Sequence, residues 1–369
     1  RRHLHGGHLG VHDDDHGCRV IDRHFCLDMA AAHRKSTTAQ NKAHAAAYEA
    51  LAARLAPVPP VVVPPVVVPP AVSGRPFAAG SLWNTPTPTT TKWFDHPILH
   101  DPSQPSETLR HWYVNEGSMR VWHATATDPL VTFQLPTFVD LTFNRNRPAS
   151  TFTFRCPTVA QPGTDEDHIL FVVDDTTGDY VEVWQASRNG NTITAPGGGW
   201  ARGNINTGTG IGGLAAAGGN NAGVRAANFS WAAGLITGAD LAANKIDHAL
   251  VVALGWGFLS NTAWRAPATA PDNGGHAGPI AMGTKLGIPA GTSAPAGLSP
   301  FGLAMFNALC TFGAYVGDFA GTPYPMFYID ANTVVEADPR IRRLFTRWDG
   351  WTADMDLIGP LVRVADYQP

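Results

Sequence analysis

The sequence predicts a mostly β protein: a β-sandwich or jelly-roll-like domain with long Gly-rich loops and one or two packing helices. Three observations carry this expectation. Short runs of β-branched and aromatic residues, including Val131–Phe138, Asp140–Asn144, Thr151–Phe154, His168–Val173 and Tyr180–Gln185, are bounded by Pro, Gly, Asn or Asp. Few of them alternate with helical patterns, which argues against a doubly wound parallel sheet. The 38 glycines and 30 prolines among 369 residues supply turns without reaching the level of collagen or wholesale disorder.

Composition narrows the function classes. A formal net charge of −4 argues against a strongly basic nucleic-acid binder. No apolar run reaches the ~18 residues of a membrane span, and no secretory leader is visible at the start of the sequence. The four cysteines (Cys18, Cys26, Cys156, Cys310) are too few for a disulfide scaffold. Cys156 and Cys310 either pair in an oxidising compartment or stay free. Lys35, Lys42, Lys92, Lys245 and Lys285 are the only lysines among 26 basic residues, a bias that matches a GC-rich genome.

Taken in order, residues 1–36 form a His-rich tail, expected to be disordered. His3, His5, His8, His12, His16, His24 and His33 lie there with Asp13, Asp14, Asp15, Cys18 and Cys26, a donor set suited to zinc or nickel but at no recognised finger spacing. Residues 37–56 are rich in Ala, Leu, Lys, Arg and Glu and read as an anchoring helix with a thin stripe of Tyr48, Leu51 and Leu55. A helix with so thin a stripe docks on another protein or self-associates. Residues 57–74 repeat PPVVV twice; Pro fixes φ and forces its predecessor into extended backbone, giving a stiff polyproline-II spacer of about 3.1 Å per residue. Residues 75–369 form one β-rich domain.

Within that domain the apolar run Ile246–Leu254 suits a central strand. Ser299 caps a helix with Pro300 in its first turn, expected to run over Phe301–Val316 with Leu303, Phe306, Leu309, Cys310 and Val316 buried. The hairpin HILFVVDDTTGDYVEVWQA carries the strongest local signal. Thr176-Thr177-Gly178 fits a type I turn closed by a left-handed Gly178, pairing Asp175 with Asp179, Val172 with Glu182 and Leu170 with Trp184. Alternation then places His168, Tyr180, Glu182 and Trp184 on one open face. It sends Ile169, Phe171, Val173, Val181 and Val183 to the core.

A face of Tyr, Glu, Trp and His is the kind that binds sugars, with the indole against a pyranose ring and polar groups at its hydroxyls. His248 lies in phase with Ile246 and Leu250, so it is either a buried histidine or a partner of His168 in a cleft as acid or base. The Gly-rich stretch 197–223 contains G-x-G-x-x-G at 208–213, but no apolar strand leads in, so a dinucleotide site is rejected. Beyond it, Arg225 and Asn228 are placed to clamp an anionic group. No G-x-S-x-G, H-E-x-x-H or C-x-x-C motif is present. No cofactor is implied, except that the run Asp165, Glu166, Asp167 offers oxygen ligands suited to calcium.

SLWNTP (81–86), the 167–186 hairpin, AAGLIT (232–237), KIDHAL (245–250), WRAPAT with DN (264–273) and FGAYVGD (312–318) occur in that order. Together they resemble a loose group of secreted or surface proteins of high-GC bacteria that carries no established activity. The resemblance covers about residues 77–330 and implies a jelly-roll, polysaccharide-active fold. The helix and PPVVV spacer lie outside it and are more like a phage tail or other surface appendage.

The resulting expectation is an extracellular or surface-exposed, carbohydrate-active enzyme that cleaves a polysaccharide or cell-envelope glycan. Its expected catalytic residues are His168, Glu182, His248 and Tyr180, with Trp184, Arg225, Asn228 and Asp272 binding substrate. As a lyase, a histidine or Tyr180 removes the proton beside a uronate carboxylate that Arg225 neutralises. As a hydrolase, Glu182 and Asp272 serve as acid and base. The alternative is a non-catalytic glycan-binding protein such as a phage tail or receptor-binding component. A weaker third reading is metal storage or sensing through the N-terminal histidines.

Overall fold

A computed structural model describes residues 75–99, 113–115, 120–140, 145–164, 166–196, 198–212, 223–255, 257–272, 277–321, 325–333 and 349–366. The tail, helix and spacer expected over residues 1–74 lie outside the described residues, as do residues 141–144 of one expected strand. The described residues belong to a compact unit that begins at Pro70.

Strands β1 (Trp93–Phe94), β2 (Tyr113–Asn115), β3 (Val121–Ala124), β4 (Leu130–Leu135), β5 (Phe138–Asp140), β6 (Arg145–Arg147) and β7 (Ser150–Arg155) lead into a hairpin of β8 (Leu170–Asp174) and β9 (Asp179–Val183). Then follow β10 (Ser187–Asn189), β11 (Thr192–Thr194), β12 (Trp200–Asn204), helix α1 (Gly238–Ala243), β13 (Leu250–Leu254), β14 (Leu259–Trp264), β15 (Ile280–Met282) and β16 (Lys285–Gly287). Helix α2 (Pro300–Thr311), β17 (Ala314–Phe319), β18 (Met326–Tyr328), helix α3 (Asp349–Ile358) and β19 (Arg363–Ala365) complete the order. The architecture is mostly β and sandwich-like, with no closed barrel among the described residues.

Three sheets make the layers. The largest runs β1-β19-β16-β17-β13-β18-β2, the second β12-β9-β8-β3 and the third β10-β11-β4-β7. β13 is central, parallel to β17 on one side and antiparallel to β18 on the other, and every residue of its LVVAL run is buried. A continuous apolar run is what a strand covered on both faces requires.

The second sheet lies between two cores. Ile169, Phe171, Val173 and Tyr180 join the large core with β13, β17 and α2. Leu170, Val172, Val181 and Val183 pack on Val131, Phe133 and Leu135 of β4 and Phe154 of β7. The hairpin register corrects the sequence expectation by one residue: Phe171, not Val172, faces Glu182, and Val173 faces Tyr180. The cause is Asp174, whose Oδ1 accepts from the Thr176 amide (2.9 Å) and hydroxyl (2.5 Å) while its carbonyl accepts from Gly178 N at 2.7 Å. That side-chain turn moves the start of the loop back to Asp174. Gly178 is left-handed as expected, at φ 76°. Because a one-residue slip exchanges faces, Phe171 and Val173 join Tyr180 and Glu182, and neither face of the hairpin is open to water.

Helix α2 starts as expected, with Ser299 Oγ accepting from Gly302 N at 3.0 Å, but it stops at Thr311. Gly313, at φ 71°, ends the turn, and the residues from Ala314 go into β17 instead. Phe306 and Leu309 are buried, whereas Leu303 is 43% exposed. Val131–Phe138 divides at Pro136 into β4 and β5, because Pro donates nothing to a ladder. Cys156 and Cys310 are both free.

Trp83 ties the N-terminal motif to the large core. Its ring has no exposed surface and stands edge-on to Phe229 (5.1 Å) and Tyr315 (5.4 Å), and its carbonyl accepts from Ala249 N at 2.7 Å. Replacing Trp83 with Ala removes both ring contacts and leaves a large cavity, so W83A is expected to lower stability by about 3–5 kcal/mol, measured by urea denaturation.

Candidate functional site

Glu182, on the inward face of β9, organises the site. It has no exposed surface, and the segment running from Gly223 crosses over it. Val224 N donates to its Oε2 at 3.2 Å, Trp231 N to its Oε1 at 2.9 Å, and the Ser230 hydroxyl to the same Oε1. Burial pushes the carboxyl up to about 8, against these three donors and the nearby Arg225 charge, which pull it down. Tyr180 stands two residues earlier on the same face, against Phe171, and its phenol also reaches Ser230. The backbone of β12 closes in at Gly203, where a Cβ would collide with the Tyr180 ring, so this position requires glycine.

The crossing segment makes a tight turn from Arg225 to Asn228, with Asn228 N donating to Arg225 O at 2.8 Å and Asn228 left-handed at φ 63°. The Arg225 side chain is fully buried, its Cζ 3.8 Å from the Trp231 ring centre and 4.2 Å from that of Tyr328 on β18. Its Nη2 donates to Trp231 O at 3.3 Å, and its Nη1 lies 3.6 Å from Asp318 Oδ2.

Asp318 stands near the end of β17, and its side chain keeps 16% exposure. Burial pushes its carboxyl up to about 7; Asp272 and Asp167 add to the rise, while Arg225 and the Phe319 amide oppose it. Asp167 accepts from Nε1 of the half-buried Trp184 at 2.9 Å. The cluster therefore holds carboxyls of raised proton affinity, a stacked guanidinium and aromatic rings. That arrangement can exchange a proton near neutral pH beside an apolar platform.

Of the residues singled out from the sequence, Glu182, Tyr180, Arg225, Trp184 and Asp272 belong to this cluster. Two histidines do not join Glu182 and Arg225. His248 is wholly buried, with Nε2 3.4 Å from Asp240 of α1 and Nδ1 2.9 Å from the Ala249 carbonyl. His168 is exposed and left-handed at φ 44°, its Nδ1 bonded to Gly163 O at 3.0 Å. Asn228 uses its amide on Thr269 Oγ1 at 2.8 Å. Of the calcium candidates, Asp165 lies outside the described residues and Glu166 is exposed. Among the described residues no group of three or more His, Cys, Asp or Glu side chains is placed to hold a metal ion, and no helix is long and apolar enough to cross a membrane.

Sequence reasoning missed Asp318, Trp231 and Tyr328. A signal for Asp318 was present: an acid interrupts the apolar strand AYVGDF. No family model, curated protein or solved structure matches the chain.

The Glu182 carboxyl makes a testable contribution to stability. Its folded value of about 8 lies above the ordinary 4.5, so its share is fully present below pH 4.5 and is lost as pH rises through 8. Each pH unit of that interval costs the folded state at most about 1.4 kcal/mol from this group. A glutamine in its place carries no charge but turns an amide toward one of the three donors. E182Q is therefore expected to lose about 1–3 kcal/mol at pH 5 and to show a flatter decline up to pH 8.5, in urea unfolding at both pH values.

Proposed function

We propose that the chain is a carbohydrate-active enzyme that hydrolyses a glycosidic bond of a polysaccharide, with Asp318 as the proton donor. One observation carries the reading: a partly exposed carboxyl, pushed up to about 7 by burial, stands within electrostatic reach of two further carboxyls, Asp272 and Asp167. Glycoside hydrolysis needs such a division of labour, one carboxyl protonating the leaving oxygen while another, ionised, acts as nucleophile or activates water. Asp272 is assigned the second role. Trp184 supplies the platform for a sugar ring, and Glu182 acts from behind by holding the segment that carries Arg225 and Trp231.

The lyase version has less support. It needs an accessible base, yet His248 is enclosed with Asp240, and burial raises the Tyr180 phenol well above its ordinary value. It also needs Arg225 at a substrate carboxylate, and that side chain has no exposed surface. An extracellular or surface location suits the enzyme, since polysaccharides of the cell envelope are met there.

A second reading, a non-catalytic glycan-binding component of a surface appendage, is favoured by the PPVVV repeats and the helix-forming stretch before them, which suit a domain held away from its anchor. The two readings separate on Asp318→Asn. In the enzyme, D318N lowers release of reducing ends from a panel of bacterial and plant polysaccharides by about 10²–10⁴-fold and leaves affinity for the same polymer intact. A native protein that binds a polymer, releases no reducing ends and binds equally well as D318N is the binding component. In both cases W184A weakens binding in affinity electrophoresis.

A further inference from the structure

We propose that Arg225 is the positioning residue of this site, setting the charge environment of the Asp318 carboxyl from an aromatic corner formed by Trp231 and Tyr328. The inference rests on the hydrolase reading for its catalytic consequence, while the pairing itself is a property of the chain without any sugar.

The guanidinium has two carboxyls near it, Asp318 on the partly exposed side and the enclosed Glu182, and it also interacts with the Tyr328 hydroxyl. Trp231 and Tyr328 lie 3.8 and 4.2 Å from its Cζ and meet edge-to-face with ring centres 5.8 Å apart, so they form a corner that walls the guanidinium on two adjoining sides. Nη2 is taken by the Trp231 carbonyl, whereas Nε and Nη1 are buried with no hydrogen-bond partner. Nη1 is directed at Asp318 Oδ2, 3.6 Å away, close enough to act as a charge and too far for a full hydrogen bond. A lysine would not reproduce this, since a point charge on a flexible stem has no plane to stack. Because Arg225 has no exposed side-chain surface, it acts on a substrate only through Asp318.

The groups that face Asp318 come from several elements. Arg225 approaches from the 223–231 segment, Tyr328 from β18, Asp272 from the stretch after β14, Asp167 from the stretch before β8, and the Phe319 amide from β17 itself. Glu182 of β9 faces Arg225 from the other direction. Arg225 is the one positive charge in this set, and it opposes the rise that burial and the two aspartates impose. Without it, Asp318 would hold its proton through the neutral range and could not return as a base.

Nuclear magnetic resonance on the full chain, free of ligand, tests this. The Asp318 carboxyl carbon is assigned by its loss in D318N, and the Arg225 guanidinium nitrogens by their loss in Arg225→Met. The expected result is one shared titration midpoint near pH 7 for both signals in the native protein. In R225M the Asp318 midpoint rises by about one unit or more, and the pH–rate profile for polysaccharide cleavage shifts with it. Guanidinium signals that stay flat while Asp318 titrates would overturn the proposal, as would an R225M midpoint equal to the native one. Should R225M fail to fold, through-bond correlation from the assigned Arg225 backbone identifies its guanidinium signals, and the native titration still decides. A shared midpoint in a chain that cleaves no polysaccharide supports the pairing and removes the hydrolase reading instead.

Discussion

The site depends on one buried carboxyl. Glu182 projects from β9 into a core that offers it no water, and its compensation comes from three donors on a single stretch of chain. Those donors include two backbone amides that would otherwise be orphaned inside the protein. The carboxyl and the segment therefore need each other: either alone is a buried polar liability, and together they are satisfied. The crossing also places Arg225 and Trp231, because both lie on the segment it holds.

The crossing is possible because the second sheet is covered on both faces. In the register suggested by a three-residue loop, Val172 in place of Phe171 would stand opposite Glu182. Asp174 decides the matter by folding its side chain over Thr176. The motifs that run through the sequence then meet here. Trp83 of SLWNTP packs on Phe229 beside the turn and on Tyr315 of FGAYVGD, and that same strand delivers Asp318. Gly234 allows the approach of the segment to β13: it is left-handed at φ 66°, and a Cβ there would strike the backbone of Val251.

Local signals were legible and long-range ones were not. The Ser299 cap, the buried run of β13 and the strand periods of β4 and β7 are written in neighbouring residues, and the structure follows them. The alternation Tyr-x-Glu-x-Trp reads as an open face for a sound reason, since a glutamate without a visible partner belongs in water. Its partners lie 42 to 49 residues away, and no periodicity reports them. His248 illustrates the converse, because its phase with Ile246 and Leu250 signalled burial, and burial beside Asp240 is what it has. Helix α2 overran in the expectation because Phe312–Val316 is apolar enough for either state, and Gly313 settled it by adopting a left-handed turn.

Charge balance separates the two carboxyls that lie near one arginine. A low-dielectric interior tolerates an ion pair far better than a surplus charge, so one guanidinium cannot hold both Glu182 and Asp318 ionised without cost. Both are pushed up, Glu182 to about 8 and Asp318 to about 7, and below those values each is spared its charge by keeping its proton. Asp318 ionises first, forming the neutral pair with Arg225 at the edge of the core, where its 16% exposure gives the proton a route to solvent. Glu182 has no such route. The carboxyl with three fixed donors and no surface is thus suited to holding the segment, and the one with a single opposing charge and an open side is suited to moving a proton.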